Sequence, residues 1–446
     1  MTAPLPTTAD DRAAGRALRA RTPRRSLAEL TTANRDPLGI LGAQNATRLA
    51  DLLPLRAERM SASPFAFFRG TAALMAADLA ASPSSGILVA SCGDAHIANF
   101  GFYASPQRTL VFDLNDFDES AWAPWEWDVK RLVASVVIAG QATGRADAVV
   151  MDAARRVVAQ YAIALRQNLS LTPVGRFYQH FDAEGGLRSG AASARKTLRK
   201  AIADAERRTS AQATRKLTEI TPEGRVRFVE RPPAMTHIDA ELEQGVAGAI
   251  GAYRQTANAD IRMLLTHYTI ADTVRRAVGV GSVGTRCYVT LLVDGDGDAL
   301  LLQTKEAGES VLTRYGGCTQ PPEVDAYIAE HGQGSRVVAM QRILQGVSDP
   351  FLGHFRGDVA DYYVRQFRDM KGGIDPESLD DPSFVLYAQA CAAVLARAHG
   401  QTPGAARIVG YIGDRTAVTD AIVAWAYAYA ELSRADYDAY VASLAD

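Results

Sequence analysis

The sequence predicts an α+β protein with two lobes, one mainly helical and one rich in β-strands. Two groups of short apolar, β-branched runs separated by turn residues indicate strands, at residues 87–112 and at residues 274–304. Helical periodicity dominates residues 141–270 and returns at residues 384–399. A chain of 446 residues is long enough to bury the cores of two such lobes.

The first predicted strand, residues 87–92, leads into a loop that carries reactive side chains. Residues 93–99 read Gly-Asp-Ala-His-Ile-Ala-Asn and so place a carboxylate, an imidazole and a carboxamide at short fixed offsets. Phosphoryl transfer needs an oriented nucleophile and a metal clamp on the phosphate oxygens. Asp94 would orient or deprotonate the acceptor, His96 would organise the loop, and Asn99 would be a Mg²⁺ ligand.

A hairpin is predicted next, with strands at residues 100–103 and 109–112. It ends in a cluster of four carboxylates, which are Asp113, Asp116, Asp118 and Glu119. Mg²⁺ prefers hard oxygen ligands and takes few of them from the protein, so one or two of these carboxylates would suffice. A helix is predicted at residues 129–140, and Asp128 could cap that helix or the backbone of the preceding loop.

A glycine-rich segment lies far downstream. The strand at residues 274–278 is followed by Gly-Val-Gly-Ser-Val-Gly at residues 279–284, by two further strands that end at residue 304, and by Lys305. A helix after this motif would indicate a dinucleotide-binding fold, but alternating β-branched residues follow instead. The pattern therefore favours a glycine loop over the phosphates of ATP, with Lys305 paired to them. The residues assigned to nucleotide binding in this segment are Gly279, Gly281, Ser282, Gly284 and Lys305.

The first loop resembles the catalytic loop of the aminoglycoside and choline phosphotransferase branch of the protein-kinase-like fold, H-G-D-x-H-x-x-N. The residues that match are Asp94, His96 and Asn99. Cys92 stands where that branch often has histidine. The resemblance implies ATP and Mg²⁺ as cofactors and a supporting role for Asp128. It leaves two alternatives for the metal carboxylate: the separation from Asn99 favours Asp113, and the Asp-Phe pair favours Asp116 with Asp118.

The order of the motifs differs from that family, because the glycine loop and Lys305 follow the catalytic loop instead of preceding it. We infer a circular permutation. The segments after Lys305 agree with it: a helix at residues 336–345, a strand at residues 362–367 leading to a hinge, and a helix at residues 384–399. Arg365 lies near this hinge and is a further candidate for nucleotide binding.

The acidic partner that the resemblance implies for Lys305 has no clear candidate. The helix at residues 336–345 contains no glutamate, and Gln341 is its nearest polar substitute. Glu306, Glu323 and Glu330 lie nearby in the sequence.

Longer stretches are similar to the bacterial family called domain of unknown function 2252. The matching stretches are residues 63–70, 93–99, 115–119, 124–132, 305–307 and 365–371. This resemblance spans about residues 25–400, implies kinase-like ancestry and specifies no substrate.

The predicted organisation has four parts. They are a mobile basic arm (1–25), a larger catalytic lobe (26–270), a small nucleotide-binding lobe (271–372) and C-terminal helices that return to the larger lobe (373–446). The expected activity is Mg-ATP-dependent phosphoryl transfer to a hydroxyl or amine of a small molecule, with Arg69 placed to contact phosphates or acceptor. Adenylyl transfer or amide formation in the same pocket, and a nucleotide-binding pseudokinase, are the alternatives.

Composition narrows the class of protein. The net charge is −2 and the chain contains no apolar run that could span a bilayer, so we expect a cytoplasmic enzyme. Four widely spaced cysteines without metal-type spacing fit a reducing compartment. A basic stretch at residues 188–216 could receive an anionic substrate, although interleaved acids are typical of a solvated helix face. The net charge makes nucleic acid an unlikely partner.

Overall fold

The computed structural model describes residues 5–183, 192–367 and 370–445 and has an α+β fold, as the sequence predicted. Its α-helices are α1 (Thr8–Ala17), α2 (Pro37–Asn45), α3 (Leu53–Ser61), α4 (Pro64–Arg69), α5 (Ala72–Ala80), α6 (Trp125–Ala142), α7 (Asp147–Asn168), α8 (Pro173–Phe177), α9 (Ala192–Arg207), α10 (Ser210–Leu217), α11 (Ala240–Thr256), α12 (Ala259–Leu264), α13 (Val311–Arg314), α14 (Pro322–His331), α15 (Gln333–Leu344), α16 (Asp381–His399), α17 (Ala406–Ile412) and α18 (Thr416–Ser443). Its strands are β1 (Leu88–Ser91), β2 (Phe100–Ala104), β3 (Leu110–Leu114), β4 (Ala121–Pro124), β5 (Thr218–Ile220), β6 (Val226–Phe228), β7 (Met235–His237), β8 (Thr269–Arg276), β9 (Cys287–Val293), β10 (Ala299–Ala307), β11 (Gly353–Arg356), β12 (Asp361–Gln366) and β13 (Gly372–Gly373).

The largest core is helical and forms around α6, α7, α16 and α18. Helix α6 is buried from Trp125 to Gly140, as expected for a helix enclosed on all sides. Helix α7 buries one face only, through residues three and four positions apart such as Ala154, Val157 and Val158. This one-sided burial agrees with the helical periodicity of the sequence over residues 141–270.

Short strands at the edge of this core carry the predicted catalytic loop. Strand β1 pairs antiparallel with β4, and the loop at residues 93–99 leaves its end. Strands β2 and β3 form the predicted hairpin, whose turn contains Arg108 with φ 64°. Strand β13 adds to the edge of β2.

The second lobe is an antiparallel sheet in the order β11-β12-β10-β9-β8-β7. Side chains alternate between its faces, as strand geometry requires. Leu291 and Leu301 pack with α10 on one face, whereas Leu292, Leu300 and Leu302 pack with α11 and α12 on the other. Helix α15 joins the lobes because its apolar side chains enter the large helical core.

Two predicted boundaries differ from the structure. Residues 8–17 of the predicted mobile arm form α1, which packs on α17, and Arg19 donates a 2.9 Å hydrogen bond to the carbonyl of Tyr411. A capping box at Thr7 and these long-range contacts order a segment that looked polar and unanchored in sequence. The sheet also begins earlier than residue 271, because β7 pairs with β8.

Two smaller differences concern length and composition of elements. Lys305 lies inside β10, which continues to Ala307, so the lysine does not close the strand. The region predicted to be helical, residues 141–270, also contains β5, β6 and β7.

Arg188 of the basic stretch lies outside the described residues. Across the described part of the chain, no helix combines the length and apolar character needed to cross a bilayer.

Candidate active site

Three helices fix the start of the catalytic loop through buried side chains. The Asp128 carboxylate on α6 accepts hydrogen bonds from the backbone N–H of Cys92 (2.7 Å) and Gly93 (3.0 Å). Nε2 of His399, on α16, lies 3.1 Å from Oδ2 of Asp128. The hydroxyl of Tyr161, on α7, lies 2.7 Å from Nδ1 of His399. All three residues are at most 1% exposed, so this buried network holds the start of the loop in place.

Asp94 is held on one side and open on the other. Its Oδ1 accepts a 2.9 Å hydrogen bond from Nε of Arg131 and lies 2.8 Å from Nη2 of the same guanidinium. Arg131 in turn donates a 2.8 Å hydrogen bond to the carbonyl of Phe68. Its guanidinium carbon also lies 4.0 Å from the centroid of the Phe68 ring. Burial raises the pKa of Asp94, and Arg131 opposes the rise. The carboxylate that lines the cleft is therefore oriented by a charge-assisted contact.

His96 faces Asp94 across 3.7 Å, measured from Nε2 to Oδ2. Burial, together with the positive charges of Arg69 and Arg131, lowers the pKa of His96 well below its ordinary value. The imidazole is thus neutral at pH 7. The loop backbone after it is held by Ser135, whose hydroxyl accepts a 2.8 Å hydrogen bond from the N–H of Ile97.

Asn99 ties the catalytic loop to the acidic segment after the hairpin. Its amide nitrogen donates to the carbonyls of Asp94 (2.9 Å) and Asp116 (3.1 Å). The nitrogen is used in these bonds, so the amide oxygen is the atom that could face a cation.

The two candidate metal carboxylates occupy different environments. Asp113 is 1% exposed, and its carboxylate accepts backbone hydrogen bonds from Leu114 and Gly346, both at 2.8 Å. It is not among the residues that line the cleft. Asp116 and Asp118 line the cleft and face Lys305. The geometry favours this second pair over Asp113.

Lys305 meets the acidic segment from the other lobe. Its Nζ lies 3.3 Å from Asp116 Oδ1 and also forms an ion pair with Asp118. Tyr363 on the neighbouring strand donates a 2.6 Å hydrogen bond to Asp118 Oδ1. Although burial opposes ionisation, Lys305 and Arg365 hold the pKa of Asp116 well below its ordinary value. Lys305 and the Asp116–Asp118 pair, which are far apart in the sequence, therefore face each other in this cleft.

The glutamates considered as partners of Lys305 lie elsewhere. Glu306 pairs with Arg286 at 3.3 Å, whereas Glu323 and Glu330 are exposed on α14. Gln341 donates a 3.0 Å hydrogen bond to Oε1 of Gln345, the residue that follows α15. Asp116 and Asp118 take the place that a glutamate was expected to fill.

The glycine loop lies against the end of α4. Gly279 and Gly284 have φ angles of 67° and 92°, a region that other residues rarely adopt. A Cβ atom at Gly281 would lie 3.4 Å from the carbonyl oxygen of Arg69. Arg59 donates a 2.7 Å hydrogen bond to the carbonyl of Gly279, and the N–H of Leu49 donates one of 2.8 Å to that of Gly284.

The cleft has two adjoining chambers. The wide chamber, about 850 Å³, extends past Asn99 and Lys305 to Arg365 and Lys371, and the narrow chamber, about 380 Å³, extends past Glu119 and Arg314. The residues that line both chambers are Arg69, Asp94, His96, Asp116, Gly279 and Ser282. The two predicted halves of the site therefore meet where the chambers join.

Three basic side chains, those of Arg69, Arg365 and Lys371, line the wide chamber. Nε of Arg69 is buried and has no hydrogen-bond partner among the described residues, and burial lowers the pKa of its guanidinium. Nε of Arg365 donates a 3.0 Å hydrogen bond to Oε1 of Gln303, and Arg365 lines the wide chamber. Burial and then the charge of Arg365 lower the pKa of Lys371, in the same chamber, to about 7. These groups make the wide chamber suited to an anion.

Two residues that contact the site were not identified from the sequence, Arg131 and Tyr363. Arg131 belongs to an apolar helix that also contains Glu126, Asp128 and Lys130, all buried. Charged residues inside an otherwise apolar helix are the signal that could have identified it. Tyr363 offered no such signal, since an aromatic residue in a strand is ordinary.

No group of three or more histidine, cysteine or acidic side chains suited to a metal ion occurs in the described ranges. The bacterial family described as "Uncharacterized protein conserved in bacteria (DUF2252)" matches residues 48–443. No curated protein and no solved structure matches the chain.

Proposed function

This chain belongs to the bacterial DUF2252 family, and we propose that it is a Mg-ATP-dependent phosphotransferase that acts on a hydroxyl or amine of a small molecule. The observation that carries the proposal is the contact between Lys305 and Asp116 across a sequence separation of 189 residues. It brings the glycine-loop lobe to the catalytic loop, where Asp94 lies. A charged lysine, a pair of carboxylates and an oriented aspartate in one cleft are the parts that phosphoryl transfer requires.

The chain order supports a circularly permuted kinase-like fold. From β8 the elements run strand, glycine loop, two strands with Lys305 on the second, the three helices α13 to α15, two strands and the region of the predicted hinge. Helix α16 follows the hinge and contacts Asp128 through His399, next to the catalytic loop. This succession is the one expected when a kinase-like chain begins within its larger lobe.

The residues present fit a magnesium ion that arrives with a nucleotide. Asp116 and Asp118 offer two carboxylates and Asn99 offers an amide oxygen, all hard donors. Mg²⁺ commonly takes one or two protein carboxylates and completes its shell with phosphate oxygens and water, so a dedicated protein cage is not needed. When bound, the ion would neutralise charge on the transferring phosphate.

The protein side chains divide the remaining work. The free Oδ2 of Asp94 would accept the acceptor proton or orient its hydroxyl, while Arg131 keeps the carboxylate in place. Lys305 would contact the phosphates, and the unpartnered Nε of Arg69 would donate to an oxyanion at the junction of the chambers. The wide chamber, with the hinge and the cations, would hold the nucleotide, and the narrow chamber would hold the acceptor.

A binding experiment tests the nucleotide site. ATP with Mg²⁺ at about a hundredfold over its dissociation constant should stabilise the protein by roughly 2.7 kcal/mol, measured by thermal unfolding. EDTA or Lys305→Ala should remove most of this stabilisation, whereas Lys216→Ala, at an exposed lysine, should leave it unchanged. Stabilisation that persists in both EDTA and Lys305→Ala would place the nucleotide elsewhere.

Product analysis separates the proposal from its alternatives. The protein would be incubated with Mg-ATP and a metabolite extract, and the nucleotide products would be measured by mass spectrometry. ADP with a phosphorylated metabolite supports phosphoryl transfer. AMP or pyrophosphate would indicate adenylyl transfer or amide formation, and binding without any product would indicate a regulatory pseudokinase.

A further inference from the structure

A second cavity lies outside the cleft, between α2, α3 and the C-terminal end of α18. Its volume is about 510 Å³, within the usual range for small-molecule pockets. Most of its wall is apolar and is formed by Leu38, Leu41, Leu53, Pro54 and Leu444. A ligand there would be enclosed mainly by hydrocarbon.

One charged group, Arg56, lines this cavity. Its side chain is 1% exposed, and none of its three guanidinium nitrogens has a hydrogen-bond partner among the described residues. The described groups that act most strongly on its charge are Arg48, which is also positive, and Tyr440. Burial and Arg48 lower the pKa of Arg56 to about 9, so the guanidinium remains charged at pH 7.

A buried cation without a counter-ion is unfavourable, and an anion with the right geometry would stabilise it. A planar guanidinium matches a carboxylate through two parallel hydrogen bonds. The surrounding apolar wall would favour a hydrocarbon body. We propose that this cavity binds a monocarboxylate with an apolar tail, with Arg56 on the carboxylate and the leucine wall on the tail.

The segment that lines this cavity also holds the glycine loop. Leu49, just before the cavity residue Ala50, donates to Gly284, and Arg59, one helical turn after Arg56, donates to Gly279. Val283 of the loop packs against Leu52. A ligand that orders α2 and α3 would therefore also restrict the glycine loop, whatever reaction the cleft performs.

Calorimetric titration with octanoate tests the site, with 1-octanol as the uncharged probe of equal chain length. Octanoate should bind at least about tenfold more tightly than 1-octanol, because hydrogen bonds to a charged group contribute more to binding than those to a neutral group. Equal affinity for the two probes would overturn the proposal.

Two variants locate the binding. Arg56→Met should remove the preference for octanoate over 1-octanol, and Ala57→Phe, which fills the cavity and keeps the arginine, should abolish binding of both. Octanoate affinity that persists in either variant would overturn the proposal. The second variant keeps the arginine in place, so it locates the binding independently of the stability of the first.

Stability distinguishes a ligand site from a structural arginine. Without octanoate, Arg56→Met should have a higher Tm than the wild type, because it removes an uncompensated buried charge. A lower Tm would mean that the arginine stabilises the fold by itself and would overturn the proposal.

Hydrogen–deuterium exchange tests the link to the glycine loop. Octanoate should slow exchange across residues 278–285 in the wild type. Arg59→Met, the matched control on the same helix, should retain octanoate affinity and lose part of this protection, since its contact with Gly279 is absent. Unchanged exchange in the wild type at saturating octanoate would overturn the link.

Discussion

The two sides of the cleft are held in place in different ways. On one side, the catalytic loop is fixed by Asp128, His399 and Tyr161, which are buried and come from three helices of the large core. On the other side, the glycine loop is held by an exposed hydrogen bond from Arg59, by the guanidinium of Arg48 on the carbonyl of Val283, and by the backbone N–H of Leu49. The Asp94 carboxylate thus lies beside a buried network of side chains, while the glycine loop is held by contacts that are partly exposed.

The comparison indicates where the molecule can move. Exposed hydrogen bonds compete with water and add little to stability, whereas breaking a buried network leaves groups without partners. In the proposed reaction, a nucleotide would enter beneath a loop that can open, and the proton acceptor would stay at a fixed place. The distribution of buried and exposed contacts agrees with both requirements.

The largest expected effect tests the rigid side. Asp94→Asn should lower turnover about 10²- to 10⁴-fold, the usual contribution of a positioned acid or base, and leave the Kd for Mg-ATP unchanged. Kinetics and calorimetry would measure the two quantities. Asp51→Asn, at an exposed aspartate, is the control and should keep full turnover. Full turnover in Asp94→Asn would contradict the assignment.

A second prediction concerns the support of the rigid side. Asp128→Ala should lower the free energy of unfolding by about 2–6 kcal/mol, because the buried N–H groups of Cys92 and Gly93 lose their acceptor. Urea denaturation would measure the loss. The same substitution at Asp420, which is about half exposed, should change stability by less than about 0.5 kcal/mol. A loss below about 1 kcal/mol at Asp128 would show that the loop is not held as described.

A third prediction separates the two metal candidates. Asp116→Asn should weaken Mg-ATP binding about 10- to 100-fold, because it removes one carboxylate that faces Lys305. Asp113→Asn should lower stability instead, since its carboxylate accepts backbone hydrogen bonds from Leu114 and Gly346. Calorimetric titration of both folded variants would measure the affinities. Weaker Mg-ATP binding in Asp113→Asn, with unchanged binding in Asp116→Asn, would instead assign Asp113 as the metal ligand.

The smallest expected effect tests the weakly held side. Arg59→Met should change the free energy of unfolding by less than about 1 kcal/mol, because its bond to Gly279 is exposed. Hydrogen exchange at residues 278–285 should nevertheless become faster. If exchange there is unchanged, the glycine loop is held by other contacts, and the contrast between the two sides of the cleft is smaller than proposed.

Local patterns in the sequence determined most of the elements. The strand before the catalytic loop, the hairpin after it, α7 with its apolar face and α15 all appear where periodicity placed them, within a few residues. These elements are specified by side chains two to four positions apart in the chain, so they can be predicted from local sequence patterns. The family relation was also identified from the sequence, through matching stretches in helices, strands and the two loops at residues 93–99 and 115–119, and the family model matches residues 48–443.

Tertiary structure decided which charged groups meet. The sequence left Asp113 and Asp116 as equal alternatives and gave Lys305 no partner, and folding brings Lys305 to Asp116 and Asp118 from the opposite lobe. It also supplies Arg131 to Asp94 and leaves Arg56 buried without a counter-ion among the described residues. Ion pairs and buried charges depend on distances through space between residues far apart in the chain, which no local pattern specifies.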